Sequence, residues 1–453
     1  MRCLSVVVPL DRSGVVPGAI RIRAARIRSR HPTRPPIIGL TGGPGQAGVY
    51  FIADYAFLLP TRGRDLVLLD QRGTGASGLL RCPSIEHKFK TTFERAAAAC
   101  AKRLGVRRSF YTSADSAADI EALRIRIGAP QIALYAISYG TRVATEYARR
   151  YPDRVERMIL DSTIGNDAPD GLARETLEAV PRVLRSVCRI GCGGAQAHPV
   201  SDLRRLVRRL RRAPIRRTVR GGRRVRVDAD DLLGLLVSSD VDTPFMHRIP
   251  PAVRSALGGN AGPLVRLKAR FGGEDDDRPS EFSSAVYAAT TCEESFFPWD
   301  PSAPRLTRLA QARAAAAATP DAAFGPFDRT AALHFGLLST CGSWPAPERV
   351  MAPPPPLPTT VPTLVLAGEL DLRTPLENAR RLTQALGGTL VVERGVGHQV
   401  LGADPNGCAM PAVESFLAGH GVPACRHDAS IGIARAVARR RAVARRASPA
   451  VLR

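Results

Sequence analysis

Short apolar runs, each closed by a glycine-rich or polar turn, alternate with stretches of helical period from residue 4 to about residue 165. That alternation predicts a parallel sheet with crossover helices, because a strand buried on both faces reads as a continuous apolar run and a parallel neighbour is reached through a helix. The run 4–10 reads as the first strand. The stretches 37–40 and 65–70 read as short buried strands ending in Thr41-Gly42-Gly43-Pro44-Gly45 and Gln71-Arg72-Gly73-Thr74-Gly75, loops that share one edge of such a sheet. Ser116 with Asp119 resembles a capping pair, and Ile120, Leu123 and Ile127 recur at helical spacing, so a helix is expected up to Gly128. A strand over 131–137, a helix over 139–151 stopped by Pro152, and a strand over 155–160 complete this part.

From about 165 to 345 the pattern becomes helical and is broken by proline and glycine. Leu203, Leu206, Val207 and Leu210 share one face while Arg204, Arg205, Arg208, Arg209, Arg211 and Arg212 fill the rest, as in an amphipathic surface helix. Residues 314–318 are helix-forming alanines, and 353–356 are prolines that make a stiff spacer. Strand patterning resumes at 363–367, followed by a helix from Pro375 and a strand at 389–392. The expected organisation is a first core part over 1–164, a helical lid insertion over 165–345, a second core part over 346–425, and a basic, disordered tail over 426–453.

Composition changes this picture only in part. Hydrophobic residues make up 44% and charged residues 23%, ordinary for a globular chain, and no apolar run reaches the roughly 18 residues of a membrane span. A formal net charge of +24 would by itself suggest an anionic partner. Nearly all the cations are Arg, however, spread over surface helices, loops and tail with little aromatic interleaving. A bias toward Arg and Ala accounts for them, and no specific nucleic-acid partner is expected. The nine cysteines form no CxxC pair and accompany no histidine cluster, which favours disulfides over a metal site. Local pairing would join Cys82 to Cys100, Cys188 to Cys192, Cys292 to Cys341 and Cys408 to Cys425, leaving Cys3 over, although spacing does not determine connectivity. Such cysteine use belongs to an oxidising compartment, whereas 4–10 is too short for a signal peptide and lacks its cleavage pattern. A start placed too far downstream, with the signal peptide absent from this chain, is the expected resolution.

Three stretches carry the candidate chemistry: Ala136-Ile137-Ser138-Tyr139-Gly140, Gly368-Glu369-Leu370-Asp371 and Gly395-Val396-Gly397-His398. A serine hydroxyl is a weak nucleophile, so acyl transfer needs a base to take its proton and an acid to hold that base. Ser138 falls between an expected strand and an expected helix, a sharp turn that exposes the hydroxyl and demands small residues two positions away on each side. Ala136 and Gly140 meet that demand. Asp371 and His398 each follow a late strand, and the order Ser, Asp, His is that of α/β-hydrolases, not of chymotrypsin or subtilisin types. Glu369 is the competing acid. The oxyanion donors are expected from the N–H groups of Gly43 and Tyr139. The expected fold is therefore an α/β-hydrolase, a mostly parallel sheet with helices on both faces and a large helical lid, requiring no metal or cofactor.

Gly42-Gly43-Pro44-Gly45, the string Asp70-Gln71-Arg72-Gly73-Thr74-Gly75-Ala76-Ser77, Ser138-Tyr139-Gly140-Thr141 and the Asp371 and His398 loops together resemble the secreted tripeptidyl aminopeptidases of high-GC bacteria and the related prolyl iminopeptidases. The resemblance spans most of residues 4–425. It implies an exported, disulfide-bonded serine exopeptidase acting on peptides with a free N-terminus, with a further cysteine upstream of the first strand. Thr41 stands where iminopeptidases carry His, which favours the tripeptidyl group, and Ala136 departs from the family glycine. The resemblance also implies that acids following Cys292 bind the substrate's amino group, Glu294 first and Glu293 second. Because the same apparatus cleaves esters, a carboxylic-ester hydrolase is the alternative activity, and a binding protein on this scaffold is the non-enzymatic one.

Overall fold

The computed structural model describes all residues except 87–91, 166–169, 190–191, 193–197, 220–221, 272–277, 336, 350–352, 405–406 and 426–453, so the expected tail lies outside the described residues. Strands β1 (Arg2–Pro9), β2 (Ala19–Ile27), β3 (Ile37–Leu40), β4 (Leu66–Leu69), β5 (Ile132–Ile137) and β6 (Val155–Asp161) belong to one sheet. A separate hairpin, β7 (Ile215–Thr218) with β8 (Arg224–Val227), precedes β9 (Thr363–Gly368) and β10 (Thr389–Glu393), which return to the main sheet. The eight strands of that sheet run in the order β1-β2-β4-β3-β5-β6-β9-β10. From β4 to β10 every pairing is parallel, while β1 and β2 are antiparallel to each other and β2 is antiparallel to β4.

The antiparallel β2 departs from the sequence reading, which passed over it. Ile20, Ile22 and Ala24 are buried while Arg21 and Arg23 point outward. With one wet face the strand alternates apolar and charged residues instead of reading as an apolar run. The central strands follow the opposite rule. Successive residues point to opposite faces, so Ile38, Leu40, Leu134, Ala136, Leu160 and Val365 enter one cluster, while Ile37, Ala133, Tyr135, Ile159, Leu364 and Leu366 enter the other. The first cluster is closed by helices Ser113–Arg126, Tyr139–Arg150 and Leu376–Leu386, the second by Ala409–Ala418 and the short helix Ile52–Leu58.

A third cluster belongs to the chain between β6 and β9. Helices Arg174–Arg189, Pro199–Arg212, Ala229–Ser238, Ile249–Leu257 and Gly262–Phe271 bury their apolar faces there. Leu370 and Leu372 from beyond β9 join the same cluster. Helix Ser284–Glu294 does not, since its Ala285, Val286, Ala289 and Cys292 pack on the sheet side. The inserted chain thus has one part with its own core and one part fastened to the sheet. Four disulfides link Cys82–Cys100, Cys188–Cys192, Cys292–Cys341 and Cys408–Cys425, and Cys3 is free and exposed.

Helix Ser113–Arg126 begins earlier than its sequence suggested. Thr112 is the cap, its side chain accepting from the Asp115 N–H while Asp115 answers the Thr112 N–H. Ser116 and Asp119 lie inside, and Asp119 serves another purpose. The fully buried Arg72 donates to it from Nε and Nη2, each at 2.7 Å, and from Nη1 to the carbonyls of Leu10 at 3.0 Å and Phe110 at 2.8 Å. This fork pins the loop after β4 to the loop after β1. Removing one member of a buried, bidentate pair strands the other charge. Asp119→Ala is therefore expected to lower unfolding stability by about 3–5 kcal/mol in urea titrations, and a loss below about 1 kcal/mol would contradict this account of the pair.

Candidate active site

Ser138 ends β5 and begins helix Tyr139–Arg150 with φ 55° and ψ −124°, a conformation that costs a non-glycine residue about 1–3 kcal/mol. Neighbouring contacts impose it. The Ser138 N–H donates to the Asp161 carbonyl at 3.0 Å, and the Ser138 carbonyl accepts from the Thr141 N–H at 2.9 Å and hydroxyl at 2.5 Å. A side chain at Gly140 would come within 2.7 Å of the Leu40 carbonyl, so only glycine lets the helix start against β3. Ala136, by contrast, is buried in register with Leu40 and Leu160, and its methyl is accommodated.

The loop after β3 faces this turn. A Cβ on Gly42 would stand 2.9 Å from the Ser138 Cβ. The Gly42 N–H is taken by the Gln46 amide oxygen at 3.1 Å, Thr41 donates its hydroxyl to the Gln46 carbonyl at 3.1 Å, and Gln71 donates to the Thr41 carbonyl at 3.1 Å. Gly43, at φ 107°, precedes Pro44 through a cis bond, and the Phe282 ring lies 3.4 Å from where its Cβ would be. Among the described residues the Gly43 N–H meets no protein acceptor. Tyr139, first in its helix, has an N–H of the kind that helix starts leave open.

Asp371 and His398 come together. The Asp371 carboxylate accepts from the N–H groups of Arg373 at 3.0 Å and Thr374 at 2.9 Å, from the Thr374 hydroxyl at 2.7 Å, and meets His398 Nδ1 at 2.9 Å. Both side chains are buried. Glu369, the competing acid, turns away to accept from Ser186 at 3.0 Å and the Gly395 N–H at 3.2 Å. Burial pushes the Asp371 carboxyl up, but the charge and hydrogen bond of His398 and the bonds from Thr374 bring it below the ordinary carboxylate range. Burial pushes the His398 imidazole down, and Asp371, with help from Asp240, more than reverses this, so the net shift is upward.

Two acids around this pair were not singled out from the sequence. Asp161, at the end of β6, accepts from the N–H groups of Val400 at 2.8 Å and Leu401 at 3.0 Å, which fixes the loop of His398 beside the strand that holds Ser138. Asp240, from the inserted chain, accepts the His398 N–H on its carbonyl at 2.9 Å. An Asp ending a buried strand was the available signal for Asp161, whereas nothing local marks Asp240.

The two acids after Cys292 separate. Glu294 accepts from the Ser113 hydroxyl at 2.7 Å, from Arg142 at 3.2 Å and from the Tyr139 hydroxyl at 3.5 Å, and burial raises its carboxyl. Glu293 points elsewhere, to Ser109 at 3.3 Å and Arg108 at 3.7 Å.

Residues 35–186 match the family described as alpha/beta hydrolase fold, and residues 329–430 the family described as TAP-like protein. The chain is 23% identical to the tripeptidyl aminopeptidase of Streptomyces lividans, an alignment covering 92% of this chain and 81% of that one. It is 24% identical to serine protease Hip1 of Mycobacterium tuberculosis (84% and 78% covered) and 22% identical to the putative hydrolase YuaR of Escherichia coli K12 (88% and 80% covered).

The opposed influences on His398 give a direct check. Its imidazole, followed by NMR in Ser138→Ala protein, should titrate above the ordinary histidine value of about 6.5. Asp371→Asn should lower that midpoint, because burial then acts against a weaker attraction. A wild-type-like midpoint in Asp371→Asn would contradict the coupling.

Proposed function

The chain belongs to the α/β-hydrolases, with a C-terminal part of the TAP-like kind, and from that premise we propose that it is a serine peptidase releasing short peptides, tripeptides first, from free N-termini through an acyl-enzyme on Ser138. The observation that carries this reading is the Asp371–His398 hydrogen bond of 2.9 Å on the sheet edge where Ser138 occupies its strained turn.

In the proposed mechanism His398 donates its Nδ1–H to Asp371, which leaves Nε2 free to accept the Ser138 proton as the hydroxyl attacks the scissile carbonyl. The oxyanion is received by the N–H group of Gly43, which meets no protein acceptor among the described residues, and by that of Tyr139, the first residue of its helix. His398 then gives its proton to the departing amine, and water, activated by the same base, releases the acyl group. Asp371 holds the tautomer and stabilises the imidazolium. No step calls on a metal or cofactor.

Glu294 is the proposed partner of the substrate's α-amino group, since it lies beside Tyr139 while Glu293 is directed to Arg108 and Ser109. Its present partner Arg142 is held from Nε, so an incoming ammonium would share the carboxylate with it. Four disulfides fit a protein that works outside the reducing cytosol, and no described helix is long and apolar enough to cross a membrane.

A fluorophosphonate probe should label the wild-type protein and leave Ser138→Ala unlabelled. A tripeptide anilide with a free N-terminus should be cleaved about tenfold or more faster than its N-acylated form, the worth of one charge-assisted contact. Turnover of a simple ester alone, with neither anilide cleaved, would reject the peptidase reading and leave the esterase.

A further inference from the structure

Asp240 brings the inserted chain into direct hydrogen-bonded contact with the loops of both members of the acid–base pair. Asp240 sits in the 3-10 turn Ser239–Val241 that follows helix Ala229–Ser238, and it is fully buried. Its carbonyl accepts the His398 N–H at 2.9 Å. Its carboxylate accepts the Arg373 N–H at 3.1 Å, the Leu372 N–H at 3.4 Å and the Arg373 guanidinium Nε at 2.8 Å. One side chain and its own carbonyl therefore hold both loops, the one with Asp371 and the one with His398.

Two packing features make the attachment tight. Leu370 and Leu372, on either side of Asp371, are buried in the apolar cluster of the inserted chain. Gly397 passes so close to the Asp240 carbonyl that any Cβ there would collide with it. Ligand atoms of Asp240, Asp371 and His398 lie within 4.8 Å of one another, yet they do not form a vacant cation site. The Asp371 and Asp240 oxygens already accept from main-chain N–H groups, a hydroxyl, the imidazole and a guanidinium, so a cation would have to displace Arg373.

We propose that Asp240 is a positioning residue for the acid–base pair, through which the inserted chain sets both the orientation and the basicity of His398. The proposal rests on the hydrolase reading of Ser138 and His398. The charged groups facing His398 are Asp371 and Arg373 from the loop after β9 and Asp240 from the inserted chain. Asp240 in turn faces Arg373, Asp371 and His398. Burial raises the Asp240 carboxyl, Arg373 lowers it and Asp371 raises it again, with a net position of about 6. Arg373 is the counter-charge in this group, and its side chain is 42% exposed.

Opposite substitutions should therefore move His398 in opposite directions. Asp240→Asn keeps the shape, removes a negative charge and leaves Arg373 beside the imidazole, so the His398 midpoint should fall by about half a pH unit or more. Arg373→Gln removes the positive charge, and the midpoint should rise. The experiment follows His398 by NMR in wild type and both variants, together with the pH dependence of fluorophosphonate labelling at Ser138. The acid limb of labelling should track the midpoint in each protein. General loosening of the fold would not push the two variants apart in this way, and Arg373→Gln, at a partly exposed side chain, keeps the test open if Asp240→Asn does not fold. Unmoved midpoints, or shifts of the same sign, overturn the role of Asp240 while wild-type labelling still supports the hydrolase. A wild-type protein that takes no label overturns the hydrolase reading itself, and this one with it.

Discussion

The arrangement of the site depends on how Asp161 is satisfied. A carboxylate in a fully buried position is costly unless donors surround it, and burial pushes this one above the ordinary carboxylate range. Its donors are the N–H groups of Val400 and Leu401, the Tyr135 hydroxyl at 3.0 Å and the Ser162 hydroxyl at 3.0 Å. Two of the four come from the loop of His398, and the Asp161 carbonyl holds the Ser138 N–H. Satisfying one buried group therefore brings the serine turn and the histidine loop to the same place. Ser162 extends the tie by accepting the Gln399 N–H at 2.9 Å.

Strain is concentrated where these ties act. Of the four described non-glycine residues with positive φ, Ser138, Ser162 and Gln399 stand at this edge of the sheet, and only Ala173 lies in the inserted chain. Such conformations persist when the surroundings over-determine them, and here the N–H groups of Ser138 and Ser162 are held by carbonyls of the neighbouring strands and that of Gln399 by the Ser162 hydroxyl. The loop after β3 is held in another way, by the side-chain amides of Gln46 and Gln71 and the hydroxyl of Thr41. Thr41 has its own task in that network, which gives a local reason for a hydroxyl residue there.

Much of the core was legible because its signals are local. The strands β3, β4, β5 and β9 are buried on both faces and read as uninterrupted apolar runs, and the cysteine pairs are close in sequence. What escaped the sequence was one-sided or long-range. β2 hides its period behind arginines, and the hairpin of β7 and β8 is only four residues per strand. The cap at Thr112 competed with a similar pattern four residues on, and Asp119 belonged to Arg72, 47 positions away. Asp240 lies 131 or more positions from both loops it holds, since 371 − 240 is 131, and no periodicity announces a contact of that kind.

The arginine excess also looks different once contacts are known. Reading it as a coat on helices, loops and tail accounts for the outer face of helix Pro199–Arg212, but several arginines are interior. Buried Arg64 donates to both oxygens of Glu156, to the Pro35 carbonyl at 2.9 Å and to the Leu417 carbonyl at 3.1 Å, joining a sheet edge to the last described helix. Arg72 and Arg108 are used similarly. A planar fork with five donors can satisfy a carboxylate and several carbonyls at once, which an ammonium on a flexible stem does less well. The composition that favours Arg over Lys thus supplies cross-links for loops that the sheet alone would leave apart. Arg373 makes a link of the same kind, because its guanidinium neutralises the carboxylate of Asp240, whose carbonyl holds the His398 N–H.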